Sequence, residues 1–97
     1  MDNAAFIQEV ISSGPRAIIA YVAPWCPNCQ RMKPAISEAG RNHRAMIYVA
    51  NVDSVRPPRG CKIDGVPTFL FYSGGRLVNT IVGATDSFVR QSNAFFS

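Results

Sequence analysis

The chain has no apolar run long enough to cross a membrane. Its longest, residues 17–24, falls far short of the ~18 residues such a span needs. Charge is scarce: 16% of the 97 residues are Asp, Glu, Lys or Arg, and ten Lys and Arg against six Asp and Glu leave a net +4. Eight of those ten are Arg, scattered along the chain, so no one-sided basic face marks a nucleic-acid binder. The three cysteines are too few, and odd in number, to staple a small secreted scaffold. There is one histidine, His43, and no second Cys-x-x-Cys or Cys-x-x-His. A tetrahedral zinc site would need Cys26, Cys29, Cys61 and His43 together, and the expectation is no metal. The first ten residues carry Asp2 and Glu9 and lack the charged start, apolar run and cleavage site of a signal peptide. A soluble, cytoplasmic protein with no membrane or nucleic-acid partner is expected.

What is present is 47% hydrophobic residues, a globular composition sufficient for one modest core. With no repeat, low-complexity tract or linker, residues 1–97 read as a single domain. Asp2 or Asn3 can cap a first helix, in which Phe6/Val10 and Ile7/Ile11 are i,i+4 pairs on one face. Residues 17–23 are apolar without alternation, the pattern of a central strand covered on both faces. A helix is expected over residues 26–42, with Pro27 in its tolerant first turn and Pro34 inside it, where a kink is expected. Residues 45–51 read as a second strand, completing a strand–helix–strand unit. Residues 53–62 read as a loop. Residues 68–72 and 76–82 flank Ser73-Gly74-Gly75, a hairpin signal. Asp86 can cap a last helix carrying Phe88, Val89, Phe95 and Phe96. The fold class is therefore α/β: a small mixed sheet with helices on both faces.

The informative segment is Pro24-Trp25-Cys26-Pro27-Asn28-Cys29, at the carboxyl end of the inferred central strand and the start of a helix. In open α/β sheets that edge is where sites form. Unpaired N–H groups and the positive end of the helix dipole favour a thiolate there. The i,i+3 spacing sets Cys29 beside Cys26 across one turn, so the two can close a redox-active disulfide without unfolding the helix. Cys26, on the first turn and expected to be exposed, should attack a substrate disulfide. Cys29, one turn deeper, should resolve the mixed disulfide.

The chain resembles the thioredoxin family over nearly its whole length. Trp25-Cys26-Pro27-Asn28-Cys29 is similar to the family's W-C-x-x-C, and Pro34 falls five residues after the second Cys, like the family's helix proline. Asn51-Val52-Asp53, Ile63-Asp64-Gly65-Val66-Pro67-Thr68, Gly75 and Gly83-Ala84 follow in family order and spacing. The resemblance implies a thioredoxin fold with about four strands, because the family's extra strand before the first helix is lacking. It implies that Pro67 is a cis proline facing the cysteines. It also implies that Val66 pairs backbone to backbone with a substrate peptide. Trp25, Pro27, Val66, Pro67, Gly83 and Ala84 then form an apolar substrate-binding surface, with core packing as the plainer reading of Trp25. The implied partners are protein disulfides and a thioredoxin reductase or glutathione system. Neither a bound cofactor nor an oligomer is implied.

Three features depart from the usual family pattern. The residues between the cysteines are Pro27-Asn28 rather than Gly-Pro, and that pair tunes the balance of thiolate and disulfide. Ala20 stands where the family buries an aspartate behind the second Cys, and Val49 where its partner lysine would be. Losing both is self-consistent, since one buried charge alone is costly, but Cys29 then needs water or another route for its proton. The absent first strand leaves residues 45–51 at a sheet edge. Cys61 reads as a small packed residue or as a thiol for an intermolecular disulfide, and Arg56, Arg59 and Lys62 as a short basic loop. Competing with a protein-disulfide reductase are a glutaredoxin-like, glutathione-dependent enzyme, a non-turnover binding subunit of the same fold, and an oxidant.

Overall fold

The computed structural model describes residues 14, 16–42, 47–54, 63, 65–83, 85 and 87–96. The expected first helix, His43, Cys61, Ala84, Asp86 and the basic residues Arg56, Arg59 and Lys62 lie outside those residues. In chain order the elements are β1 (Ala17–Val22), α1 (Pro27–Asn42), β2 (Ile47–Asn51), β3 (Thr68–Ser73), β4 (Arg76–Val82) and α2 (Phe88–Phe96). The strands form one sheet in the order β2-β1-β3-β4. β1 runs parallel to β2 and antiparallel to β3, and β3 pairs antiparallel with β4.

Strand β1 is central and buried on both faces, as its unbroken apolar run requires. Ile18 and Ala20 point to one face with Phe69 and Phe71, where Met32, Ile36 and Ala39 of α1 and Phe88 of α2 cover them. Ile19 and Tyr21 point to the other with Ala50, Leu70 and Tyr72, against which Val52 and Ile63 pack. Both described helices therefore lie on one face. Helices on both faces are not seen among the described residues. Stacked rings seal α2 onto the sheet: Phe69 and Phe88 lie 4.3 Å apart, and Phe71 meets Phe95 edge-on at 5.0 Å. The Ser92 hydroxyl, buried under α2, donates back to the Phe88 carbonyl at 2.6 Å.

Local chemistry sets the joints. Gly74 and Gly75 take φ of 62° and 80°, the two left-handed residues of a tight hairpin between β3 and β4. Thr85 Oγ1 accepts the Ser87 N–H at 3.2 Å ahead of α2, a capping contact from a residue one before the expected Asp86. Pro34 lies inside α1, and β2 is an edge strand of the sheet among the described residues.

Candidate active site

The site forms where β1 hands over to α1. After Val22 the backbone turns at Pro24 and Trp25, with the Cys26 N–H donating to the Ala23 carbonyl at 3.2 Å. Cys26 sits immediately before α1 and its carbonyl accepts from the Gln30 N–H at 3.2 Å, opening the helix. Pro27 takes the first helical position, where an N–H would have no intrahelical partner. One turn later, the Cys29 N–H donates to Cys26 Sγ at 3.2 Å. The two thiols are free and adjacent. That N–H is a donor aimed at the sulfur that bears negative charge whenever Cys26 acts as a nucleophile.

Both cysteines are nearly buried, Cys26 at 5% exposure and Cys29 at 3%. The expected contrast between an exposed and a deeper thiol is therefore not one of depth. Both pack with Ala23 against Val22, Val52 and Val66. They differ in what they face. Cys26 lines an open groove of about 390 Å³ with Trp25, Pro27, Val52, Gly65 and Val66. Cys29 lines a separate recess between α1 and β2 and shares none of that groove. Burial pushes the Cys29 thiol up from 9.0 to about 11, and the hydrogen bond and charge of Cys26 add to the shift. Cys29 is thus held protonated near neutrality.

Most of the expected contact residues converge here. The Val66–Pro67 bond is cis, and the Cys26 thiol donates to the Val66 carbonyl at 3.6 Å. Val66 and Pro27 line the groove. The ring of Pro67 is fully buried, so it stands behind the surface rather than on it. Gly83 is joined to this loop: its N–H donates to the Pro67 carbonyl at 2.7 Å, from a φ of 93°. Such a φ suits glycine and strains other residues. Trp25 is 66% exposed, which excludes core packing for it.

Asp53 carried no functional expectation, yet it holds Trp25. The indole Nε1 donates to Asp53 Oδ2 at 2.9 Å, across 28 residues. Asp53 is itself fixed by an Asx turn, its N–H donating to Asn51 Oδ1 at 2.9 Å just past the end of β2. The signal was the Asn51-Val52-Asp53 match, which located the end of the strand and not the contact. Val52, Ile63 and Gly65, which the sequence marks only as parts of matched segments, also border the groove. Among the described residues, no group of three or more His, Cys, Asp and Glu side chains could hold a metal ion.

A family model described as Thioredoxin matches residues 1–92. Thioredoxin 1 of Plasmodium falciparum is 32% identical over 89 residues, which are 90% of this chain and 86% of that protein. A bifunctional thioredoxin reductase/thioredoxin of Mycobacterium leprae is 31% identical over 85 residues, 84% of this chain and 19% of that protein. A solved structure of Plasmodium falciparum thioredoxin superimposes with a TM-score of 0.85 at 27% identity, covering 100% of this chain and 97% of that one.

Proposed function

The chain belongs to the thioredoxin family and is a thiol–disulfide oxidoreductase, and we propose that Cys-Pro-Asn-Cys at residues 26–29 is its redox-active centre. Cys26 attacks a protein disulfide and releases the first substrate thiol. The mixed disulfide so formed is resolved by Cys29, leaving a Cys26–Cys29 disulfide and a reduced substrate. The observation that carries the assignment is that Cys26 borders the open groove while Cys29 does not, with its thiol pushed up to about 11. An incoming disulfide meets Cys26 first, and Cys29 waits as a thiol.

The substrate lies along the groove between Trp25 and Val66, with Pro27 on one wall and Gly83 bracing the loop of Pro67. A separate thioredoxin reductase returns the electrons; the Mycobacterium leprae relative, named as both reductase and thioredoxin, supports that pairing. The apolar character of the groove favours a protein chain over glutathione. Our reading is of a cytoplasmic monomer without a resident cofactor. No described helix is long and apolar enough to cross a membrane.

The test is a trapping experiment with a disulfide substrate. Cys29→Ser should accumulate a mixed disulfide through Cys26, and Cys26→Ser should accumulate none. The reverse pattern would exchange the two roles.

A further inference from the structure

Cys29 and Lys33 are i,i+4 neighbours on α1, and both line the recess between α1 and β2. The recess has a volume of about 360 Å³ and its walls include Val22, Ala23, Val49 and Asn51. It opens to solvent, since Lys33 is exposed and Val49 is 44% exposed. It has no residue in common with the groove that Cys26 lines. The sulfur that receives substrate and the sulfur that must lose a proton thus face different recesses. Around Cys29, β1 presents Val22 and β2 presents Val49 and Asn51, none of which titrates. The ionisable neighbours are the Cys26 thiol and, among the described residues lining the recess, Lys33. Ala20, buried beneath the site, offers no acid.

We propose that Lys33 is a positioning residue for the resolving step: its ammonium group stabilises the Cys29 thiolate across the recess, and water in the recess carries the Cys29 proton away. The proposal rests on the reading of Cys29 as the resolving thiol. In the mixed disulfide Cys26 is bonded to a substrate sulfur. Cys29 gives its proton to recess water and the thiolate attacks Cys26 Sγ. The Cys26–substrate bond breaks as the Cys26–Cys29 bond forms. The substrate sulfur leaves with the electron pair and takes a proton from solvent, so the cysteine pair is oxidised by two electrons and the substrate disulfide is reduced by two. Lys33 takes no part in the bond changes. An exposed charge one helical turn away is worth about twofold in thiolate population. A less basic thiolate is a weaker nucleophile, which returns about half of that on a logarithmic scale and leaves roughly 1.4-fold in rate.

The experiment mixes the reduced protein with a peptide carrying one disulfide, quenches with acid, and follows the mixed disulfide by mass spectrometry over a pH series. Lys33→Arg should keep the wild-type lifetime. Lys33→Met should lengthen it about 1.4-fold at neutral pH and move the pH profile upward, and Lys33→Glu, which reverses the charge, should lengthen it about twofold and move the profile further. The differences should shrink in high salt. A structural role for the lysine stem would not order the variants by charge. Coincident pH profiles for wild type, Lys33→Met and Lys33→Glu would overturn the proposal, and so would Lys33→Arg behaving like Lys33→Met. Cys29→Ser in the same apparatus should stall at the mixed disulfide. If it does not, the resolving role itself falls, an outcome distinct from a stalled control beside an unresponsive Lys33 series.

Discussion

The indole of Trp25, which lines the groove, and the carboxylate of Asp53 are joined at 2.9 Å, although both side chains are exposed. An exposed hydrogen bond contributes little to folding, because water competes for both partners. Its effect is to hold a large flat side chain in one orientation beside Cys26, so that a protein substrate meets an ordered surface and does not have to order it on binding.

Asp53→Ala should therefore separate activity from stability. Turnover of a protein disulfide should fall about fivefold, the value of one lost hydrogen bond, while the free energy of unfolding should change by no more than about 0.5 kcal/mol. Trp25 is the single tryptophan, so its fluorescence anisotropy reports the side chain alone. Anisotropy should drop in Asp53→Ala and recover in Asp53→Asn, which keeps an acceptor oxygen. Unchanged anisotropy in Asp53→Ala would show that the hydrogen bond does not hold the ring.

A second expectation follows from the burial of Cys29. An unshifted thiol ionises near 9.0, whereas in the folded protein Cys29 keeps its proton to about 11. Between those values the unfolded chain has released a proton that the folded chain retains, so rising pH favours unfolding. The stability of the reduced protein should be fully present below pH 9 and fall as pH rises through 11, by on the order of 2 kcal/mol from this group. Other groups titrate in the same range, so the measurement is the difference between wild type and Cys29→Ser in denaturant melts. Parallel pH dependences in the two proteins would mean that Cys29 is not desolvated as the structure has it.

The parts of this molecule that sequence exposes are those governed by local pattern. Strand β1 is legible because an apolar run without alternation must be covered on two faces, and Ile18 and Ile19 do point to opposite cores. The hairpin is legible because paired glycines supply the positive φ that the turn demands. Cys26 and Cys29 are legible because a strand–helix joint brings residues three apart together. Contacts between distant segments carry no such pattern. Nothing in the neighbourhood of Trp25 marks Asp53, and nothing near Cys29 reveals that β2 leaves a recess open beside it. The depth of Cys26 is illegible for the same reason: Val52 and Val66, which cover it, come from remote loops. Pro67 likewise matches the family motif by order, while the burial of its ring is a property of the packed sheet.

The last prediction concerns Ala20. It is 0% exposed at the middle of β1, in register with Val49 on one side and Phe69 on the other. Its methyl group lies in the cluster of Met32, Ile36, Phe69 and Phe88, which offers no polar partner. Ala20→Asp would place a carboxyl group there. Desolvation should raise its pKa and keep it protonated near neutrality, and the buried polar group should cost about 2–4 kcal/mol. Because the folded-state pKa is raised, the mutant's deficit should grow as pH rises above the ordinary carboxylate range. Val49 offers a check on the geometry, since register partners on adjacent strands share a face and Val49 reaches solvent. Val49→Lys added to Ala20→Asp should recover part of the loss, with a coupling of about 1 kcal/mol or more in a double-mutant cycle. Denaturant melts at neutral pH with reduced cysteines measure all four proteins. A midpoint for Ala20→Asp equal to or above that of wild type would mean that the new carboxylate reaches water or a cation through the Cys29 recess, and that β1 is not sealed beneath the active site.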